Sequence, residues 1–143
     1  MIVARILAEK GREVITTAPH RTLKEVVDLL AEKGVGAVVV ADASMAVLGI
    51  LSERDVVRVI AQHGASALNE QASRYMTAKV TTVTREATID HIMQTMTEKR
   101  FRHLPVVEDG RLIGIVSIGD VVKRHVAALD SERQALREYI ATA

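Results

Sequence analysis

Two copies of a serine–aspartate motif contain the residues of this chain best suited to chemistry. Ser52 and Asp55 follow one apolar stretch, and Ser117 and Asp120 follow another. A serine three residues before a carboxylate is typical of a helix N-terminus, where the hydroxyl accepts a hydrogen bond from a free backbone N–H. A helix that begins at the carboxyl end of a strand can also hold a phosphate or a ribose. Each copy is therefore an ordinary helix cap or part of a ligand site, and the repetition favours a ligand site.

The composition of the chain excludes several classes of function. Of its 143 residues 48% are hydrophobic and 26% are charged, as in a folded globular protein. A net charge of +1 and only 2% aromatic residues disfavour nucleic-acid binding. The absence of cysteine excludes disulfides and thiol catalysis, and the histidines lack the spacing of metal ligands. No apolar run is long enough to span a membrane and no signal-peptide pattern begins the chain, so we expect a cytoplasmic protein without a metal site.

The elements that must position the two motifs occur twice in the same order. Each half has the pattern strand, helix, strand, strand, helix, and Thr88 follows the helix cap Thr22 by 66 residues. Strands are predicted at residues 14–17, 36–40, 47–51, 80–83, 104–107 and 112–116. A short helix over residues 2–9 precedes the first half, and a further helix over residues 129–140 follows the second.

This internal repeat predicts the fold. A half with three strands cannot bury both faces of its sheet alone, so the two halves should pack on each other about a pseudo-twofold axis. The predicted fold class is α/β, or α+β in some schemes, with two β-α-β-β-α repeats whose sheets mostly have three strands, and a C-terminal helix. The predicted boundaries are 1–66 for the first repeat with the N-terminal helix, 67–128 for the second repeat and 129–143 for the C-terminal helix.

The motifs and the order of elements resemble a known family. The doubled Gly-x-x-Ser-x-x-Asp at 49–55 and 114–120, together with Arg102-His103-Leu104-Pro105-Val106-Val107, is similar to the tandem cystathionine-β-synthase (CBS) domain pair, or Bateman module. The resemblance covers residues 14–124 and is to the stand-alone bacterial kind. It implies that adenosine ligands (AMP, ADP, ATP, S-adenosylmethionine or NAD) bind between the repeats. It also implies that the motif serine contacts phosphate and that the motif aspartate holds the ribose hydroxyls.

The same resemblance assigns residues to two clefts, in each of which the motif of one repeat faces the strands of the other. The first cleft would contain Ser52, Arg54, Asp55, Thr77, Val80, Thr81, Arg100, Phe101, Arg102, His103 and Leu104. The second would contain Ser117, Gly119, Asp120, Val14, Ile15, Val35, Gly36, Ala37 and Val38. Arginines in the first cleft suit a phosphate, whereas the second cleft carries little charge. We therefore expect two different ligands, or one tight and one weak site.

The resemblance favours a non-catalytic sensor of adenine nucleotides. Such a module would form a homodimer through its helices and signal to an unidentified downstream protein. One alternative is a structural dimer that has lost its ligands. An enzyme that uses nucleotides is a weaker alternative, because the chain has no P-loop, no G-x-G-x-x-G and no G-x-S-x-G motif. Individual residues also have plainer interpretations, since His103 could be a strand histidine bonded to backbone and Arg100 and Arg102 a solvated strand end.

Overall fold

The computed structural model describes residues 1–11 and 13–142; Arg12 and Ala143, which belong to the ranges 1–66 and 129–143 predicted above, lie outside the described residues. In chain order the elements are α1 (Val3–Lys10), β1 (Thr16–Thr17), α2 (Leu23–Lys33), β2 (Ala37–Ala41), β3 (Val47–Ser52), α3 (Glu53–His63), a 3-10 turn (Ala65–Asn69), α4 (Ala72–Tyr75), α5 (Ile89–Lys99), β4 (His103–Glu108), β5 (Arg111–Ser117) and α6 (Ile118–Thr142). This mixed α/β arrangement confirms the predicted fold class.

The first repeat contains a three-stranded sheet in the order β1-β2-β3. Strand β1 lies parallel to β2, and β2 lies antiparallel to β3. All five residues of β2 are buried, as expected for the central strand of a sheet that is covered by helices. Helix α2 begins at a capping box formed by Thr22 and Glu25, and its apolar face packs on β2 and β3.

The second repeat has two strands, β4 and β5, in an antiparallel pair. The strand predicted at residues 80–83 is wrong, because Val83 alone makes a bridge, to Val106. The reason is Pro105. The equivalent residue of the first repeat, Val39, donates its N–H to the carbonyl of Ile15, whereas a proline has no N–H with which to continue the parallel ladder. Residues 77–82 therefore run outside the sheet, beside the gap between the repeats.

Helix α1 packs on the second repeat, although its place in the sequence grouped it with the first. Val3, Ile6 and Leu7 are buried in one apolar cluster with α5, β4 and β5. Helix α4, which precedes the second repeat, packs in turn on the first: Ala72 is buried there and donates its N–H to the carbonyl of Arg21. Each repeat therefore receives a helix from the other, and this exchange holds the pair together.

The C-terminal helix is not a separate element. Helix α6 runs without a break from Ile118 to Thr142, whereas we predicted one helix after Ser117 and a second over residues 129–140. The chain has no glycine or proline between Val121 and its end, so nothing interrupts the helical hydrogen bonds. Within the described residues no helix is both long and apolar enough to cross a lipid bilayer.

Candidate functional site

The two serine–aspartate motifs adopt the same local geometry. Asp55 N donates to Ser52 Oγ at 3.2 Å, and Asp55 Oδ2 accepts from Ser52 N at 2.9 Å. In the second copy Asp120 N donates to Ser117 Oγ at 3.1 Å, and Asp120 Oδ2 accepts from Ser117 N at 2.9 Å. Both copies are therefore capping boxes that begin α3 and α6. Because the local geometry is the same, any difference in function between them must come from what lies opposite.

A cleft of about 350 Å³ lies opposite the first motif, between the two repeats. This volume is within the range of ligand pockets. The cleft is lined by Gly36, Ile50, Ser52, Glu53, Arg54, Asp55, Arg58, Thr77, Val80, Thr81, Arg100, Phe101, Arg102 and His103. Of the residues predicted for this cleft, the structure brings together all except Leu104. That side chain is fully buried in the core of the second repeat, because it points to the opposite face of β4 from its neighbours His103 and Pro105.

The lining of the cleft combines positive charge with a small apolar surface. The lining contains four arginines, Arg54, Arg58, Arg100 and Arg102, and two carboxylates, Glu53 and Asp55. The apolar part consists of Ile50, Val80 and Phe101. Guanidinium groups and the free N–H groups of a helix N-terminus bind phosphate oxygens, and a carboxylate accepts hydrogen bonds from hydroxyls. The cleft can therefore bind a molecule that has an anionic end, a polyhydroxylated middle and a flat apolar end.

Arg100 adopts an unusual backbone conformation at the edge of this cleft. It ends α5 in the left-handed region, with φ 57°, at the position where the first repeat has Gly34, with φ 62°. A side chain in this region costs about 1–2 kcal/mol relative to the favoured backbone conformations. The chain thus carries an arginine where glycine would be less strained, and its guanidinium group lines the cleft.

The first cleft stays open because α4 is short. This helix ends at Tyr75, and the chain then pairs Thr77 with Ile50 through two backbone hydrogen bonds, of 3.0 and 3.1 Å. Residues Val80 and Thr81 continue along one wall of the cleft without filling it. The gap is therefore bounded on this side by backbone and short side chains.

The end of helix α1 places a cation against the second serine–aspartate motif. Lys10 Nζ donates to the carbonyl oxygen of Ile115 at 2.9 Å and to Asp120 Oδ2 at 2.6 Å. Ile115 is the counterpart of Ile50, so the Lys10 ammonium replaces the backbone contact that Thr77 makes in the first repeat. A second ion pair, from Arg124 Nε to Glu9 Oε2 at 3.1 Å, holds the end of α1 to α6.

The charge of Lys10 changes the titration of Asp120. Partial burial by itself raises the pKa of this carboxyl, but the hydrogen bonds from Lys10 and from the backbone of Ser117, together with the Lys10 charge, outweigh burial and lower the pKa. Asp120 is thus a carboxylate that already has a cationic partner from its own chain.

The second cleft therefore stays a prediction: Lys10 contacts Asp120 there, and most strand residues assigned to the cleft lie in or beside the first core. Ala37 and Val38 are buried in β2, and Ile15 and Val35 pack at the edge of the first core, where Val14 is half-buried. Gly119 lies at the exposed start of α6. Gly36 lines the first cleft instead, where an added Cβ would lie 3.1 Å from Glu53 Oε1 and 3.3 Å from His103 Nε2. The contact between Lys10 and Asp120 could not be predicted from the sequence, because Lys10 belongs to α1 and lies far from Asp120 in the chain.

His103 lies between the two motifs. It pairs with Ser117 across β4 and β5 and lines the first cleft. Burial is the main reason that the pKa of its imidazole is lowered, and the charges of Lys10 and Arg102 lower it further against the opposing effect of Asp120 and Glu53. The ring is therefore neutral at pH 7 and can accept or donate a single hydrogen bond.

Sequence reasoning missed several residues of the first cleft. Arg58 lies one helical turn after Asp55 and its guanidinium is 3.3 Å from Asp55 Oδ1, so the i, i+3 spacing could have identified it. Glu53 lies inside the motif itself. Among the residues that the structure describes, no group of three or more histidine and acidic side chains is arranged to hold a metal ion.

Comparisons with known proteins agree with this arrangement of repeats. The family model of the CBS domain matches twice, at residues 7–62 and 72–127. The chain is 40% identical to the mitochondrial CBS domain-containing protein CBSX3 of Arabidopsis thaliana, a match that covers 96% of this chain and 71% of that protein.

Two solved structures extend the comparison. The CBS-domain containing protein ATU1752 from Agrobacterium tumefaciens has 46% sequence identity and a TM-score of 0.84, over 87% of this chain and 99% of that one. The CBS domain protein PAE2072 from Pyrobaculum aerophilum, solved in complex with AMP, has 26% identity and a TM-score of 0.75, over 84% of this chain and 89% of that one.

Proposed function

The chain belongs to the CBS domain family, and from this premise we propose that it is a non-catalytic regulatory module that binds one adenine nucleotide in the first cleft. One observation carries the proposal: the cleft of about 350 Å³ between the repeats brings the Ser52–Asp55 motif together with Arg100, Arg102 and an apolar wall. AMP is the first ligand to test, because the related protein PAE2072 forms a complex with it. ADP, ATP, S-adenosylmethionine and NAD contain the same adenosine group and are the alternatives.

The chemistry of the lining suggests how the nucleotide would lie. Asp55 Oδ1, which the capping box does not use and which lies 3.3 Å from the Arg58 guanidinium, can also accept hydrogen bonds from the ribose hydroxyls. The arginines and the N–H of Arg54 in the first turn of α3 can bind the phosphate, whereas the N–H groups of Glu53 and Asp55 already donate to Gly36 and Ser52. Ile50, Val80 and Phe101 offer an apolar surface to the adenine.

The proposal includes one accessible site for each chain. We expected two different ligands or one tight and one weak site. The ion pair between Lys10 and Asp120 supports a tight first site and a weak second site. Lys10 bonds to Asp120 Oδ2, the oxygen of the capping box, and to the carbonyl of Ile115, so a ligand that needs this space would have to displace the ammonium at the cost of those contacts.

The proposed output is a change in the relative position of the repeats that a homodimer or a downstream protein recognises. A ligand shifts such an equilibrium only by its difference in affinity between the two arrangements. The first cleft suits this role because its walls come from both repeats. A cytoplasmic location stays a prediction, since CBSX3 carries a mitochondrial name.

Calorimetric titration with AMP, ADP, ATP, S-adenosylmethionine and NAD tests the proposal. We expect one binding event for each chain with at least one of these ligands. Asp55→Asn should weaken this binding about tenfold to a hundredfold, the effect of losing a hydrogen bond to a charged group. Asp120→Asn is the matched control, because it changes the equivalent capping box outside the cleft, and it should leave the affinity within a few-fold.

Three results would overturn the proposal. Absence of binding by all five ligands would favour the structural dimer. An equal loss of affinity in Asp55→Asn and Asp120→Asn would show that the effect comes from helix capping. Turnover of ATP or NAD that is lost in Asp55→Asn would show an enzyme.

A further inference from the structure

No other part of the described chain covers the second half of α6. Every residue from 126 to 142 is exposed, a length of about 25 Å at the helical rise. Most of the stability of a helix in a protein comes from the packing of its apolar face. Five large aliphatic side chains of α6, Val122, Val126, Leu129, Leu136 and Ile140, are between 50% and 65% exposed. A surface of this kind indicates a partner.

These five side chains follow a heptad pattern. Val122, Leu129 and Leu136 are seven residues apart and take the d positions, whereas Val126, Arg133 and Ile140 take the a positions. We call these six residues the α6 seam. Aliphatic a and d residues are the contacts of a coiled coil, and one polar residue at an a position, here Arg133, limits the number of strands and fixes the register at some cost in stability.

The charges beside the α6 seam favour a parallel pair with a second copy of the same helix. In a parallel pair each g residue faces the e residue five positions later on the partner helix. His125 would then face Asp130 of the second copy, and Glu132 would face Arg137 of the second copy. Because the pair is symmetric, each of these contacts would occur twice. Glu132 would also lie beside Arg133 of the second copy.

An antiparallel pair would bring like charges together. Alignment of the seam in that direction places Asp130 opposite Asp130, Glu132 opposite Glu132 and Lys123 opposite Arg137 of the second copy. Like charges at these positions are unfavourable. Charge therefore distinguishes the two directions although the apolar residues alone permit both.

We propose that residues 122–140 of α6 form a parallel two-stranded coiled coil with a second copy of this chain. The exposed face of α6 would thus pack against α6 of the second copy, in register. A twofold axis would run along the α6 seam. This interface is separate from the nucleotide cleft, and its failure would leave nucleotide binding unaffected.

Cysteine cross-linking tests the direction of the pair, because the protein has no cysteine of its own. Leu136→Cys places a thiol at a d position, and Ser131→Cys is the matched control on the outer face of the helix. In the full chain under a thiol–disulfide buffer we expect a covalent dimer with Leu136→Cys and little with Ser131→Cys. A covalent dimer that requires a mixture of Val126→Cys and Leu136→Cys chains would show an antiparallel pair and overturn the proposal.

Charge reversal tests the register independently of any thiol. Glu132→Arg should raise the dissociation constant of the dimer on the order of tenfold, measured by sedimentation equilibrium at low salt, because it places a cation opposite Arg137. The double variant Glu132→Arg with Arg137→Glu should restore dimerisation. A monomeric wild-type protein, or a dimer that neither the single nor the double variant changes, would overturn the proposal. The affinity for AMP should be the same in all of these proteins.

Discussion

The ammonium of Lys10 lies 2.6 Å from Asp120 Oδ2, and this ion pair joins the end of α1 to the second serine–aspartate motif. The equivalent carboxylate of the first motif, Asp55, contacts only Arg58 of its own helix among the ion pairs of the described residues. Two motifs with the same internal geometry therefore differ in their partners. One carboxylate belongs to a cleft between the repeats, and the other is held by a helix that crosses from the other end of the chain.

Replacement of Lys10 should destabilise the protein. Lys10→Met removes the charge but keeps most of the apolar stem, and leaves Asp120, whose side chain is only 18% exposed, without its nearest cation. We expect the free energy of unfolding to fall by about 1 kcal/mol, discounted for the remaining exposure. Arg58→Met is the comparison: it removes the cation beside Asp55, whose side chain is 16% exposed, but the Arg58 side chain is 62% exposed and its ion pair is longer, at 3.3 Å, so it should cost less than about 0.5 kcal/mol in the same denaturant titration. Equal losses in the two variants would contradict a special role for Lys10.

The same Lys10→Met variant should also gain a second binding event. With the ammonium removed, the carboxylate of Asp120 and the carbonyl of Ile115 become available to a ligand. Calorimetry with AMP should then require two sites for each chain, the second weaker than the first. A titration that still fits one site would show that the body of α1, and not the charge at its end, closes the second motif.

Exchange of Arg100 for glycine should change stability and binding in opposite directions. Because Arg100 has φ 57°, Arg100→Gly relieves backbone strain and should raise the free energy of unfolding by up to about 1 kcal/mol, while AMP binding weakens through the loss of a cation. Gly34→Ala makes the reverse change at the equivalent position, where an added Cβ meets no atom within 4 Å, so it should destabilise through strain alone. Arg100→Gly that binds AMP as tightly as the wild type would remove Arg100 from the site.

The stability of the protein should decrease in two separate pH ranges. The pKa of His103 is lowered from its usual 6.5, so the unfolded chain takes up a proton before the folded chain does, and stability falls as the pH drops below about 6.5. The pKa of Asp120 is lowered from 3.8, so its contribution is present above that value and is lost as the pH falls through the folded pKa. Denaturant titrations at several pH values measure this dependence. Between pH 6.5 and 5 the free energy of unfolding should change less with pH in His103→Gln than in the wild type. The same pH dependence in both proteins would mean that a group other than His103 causes the loss of stability.

Two glycines of the second repeat should respond to alanine in opposite ways. A Cβ on Gly114 would lie 2.6 Å from Leu7 Cδ2, so Gly114→Ala must shift the buried Leu7 side chain of α1 and should cost about 1–3 kcal/mol. A Cβ on Gly119 would meet only Ser117 Oγ, at 3.7 Å, in the first turn of α6, so Gly119→Ala should stabilise by about 0.5–1 kcal/mol. Thermal unfolding of the two variants measures both effects. Gly114→Ala with wild-type stability would contradict the packing of α1 on β5.

Much of the first cleft could be predicted from the sequence, because the motif and the repeated order of elements carry the resemblance that assigned its residues. Ser52, Asp55, Thr77 and Arg102 all occupy the expected cleft. The contact of Lys10 with the second motif could not be predicted, since it joins residues 110 positions apart. The similarity of the repeats also led to a wrong strand prediction at residues 80–83. Pro105 lacks the N–H that would continue the parallel ladder there.

The sequence by itself determined the two repeats, their helix caps, the apolar faces of their helices and the heptad spacing along α6. These are local features: a cap, a hairpin or an amphipathic face depends on residues within a few positions of each other. Only the tertiary structure decided that α1 packs on the second repeat and that Lys10 reaches Asp120. Such contacts depend on how whole elements fit together around a core, and the spacing of residues along the chain contains no direct record of that fit.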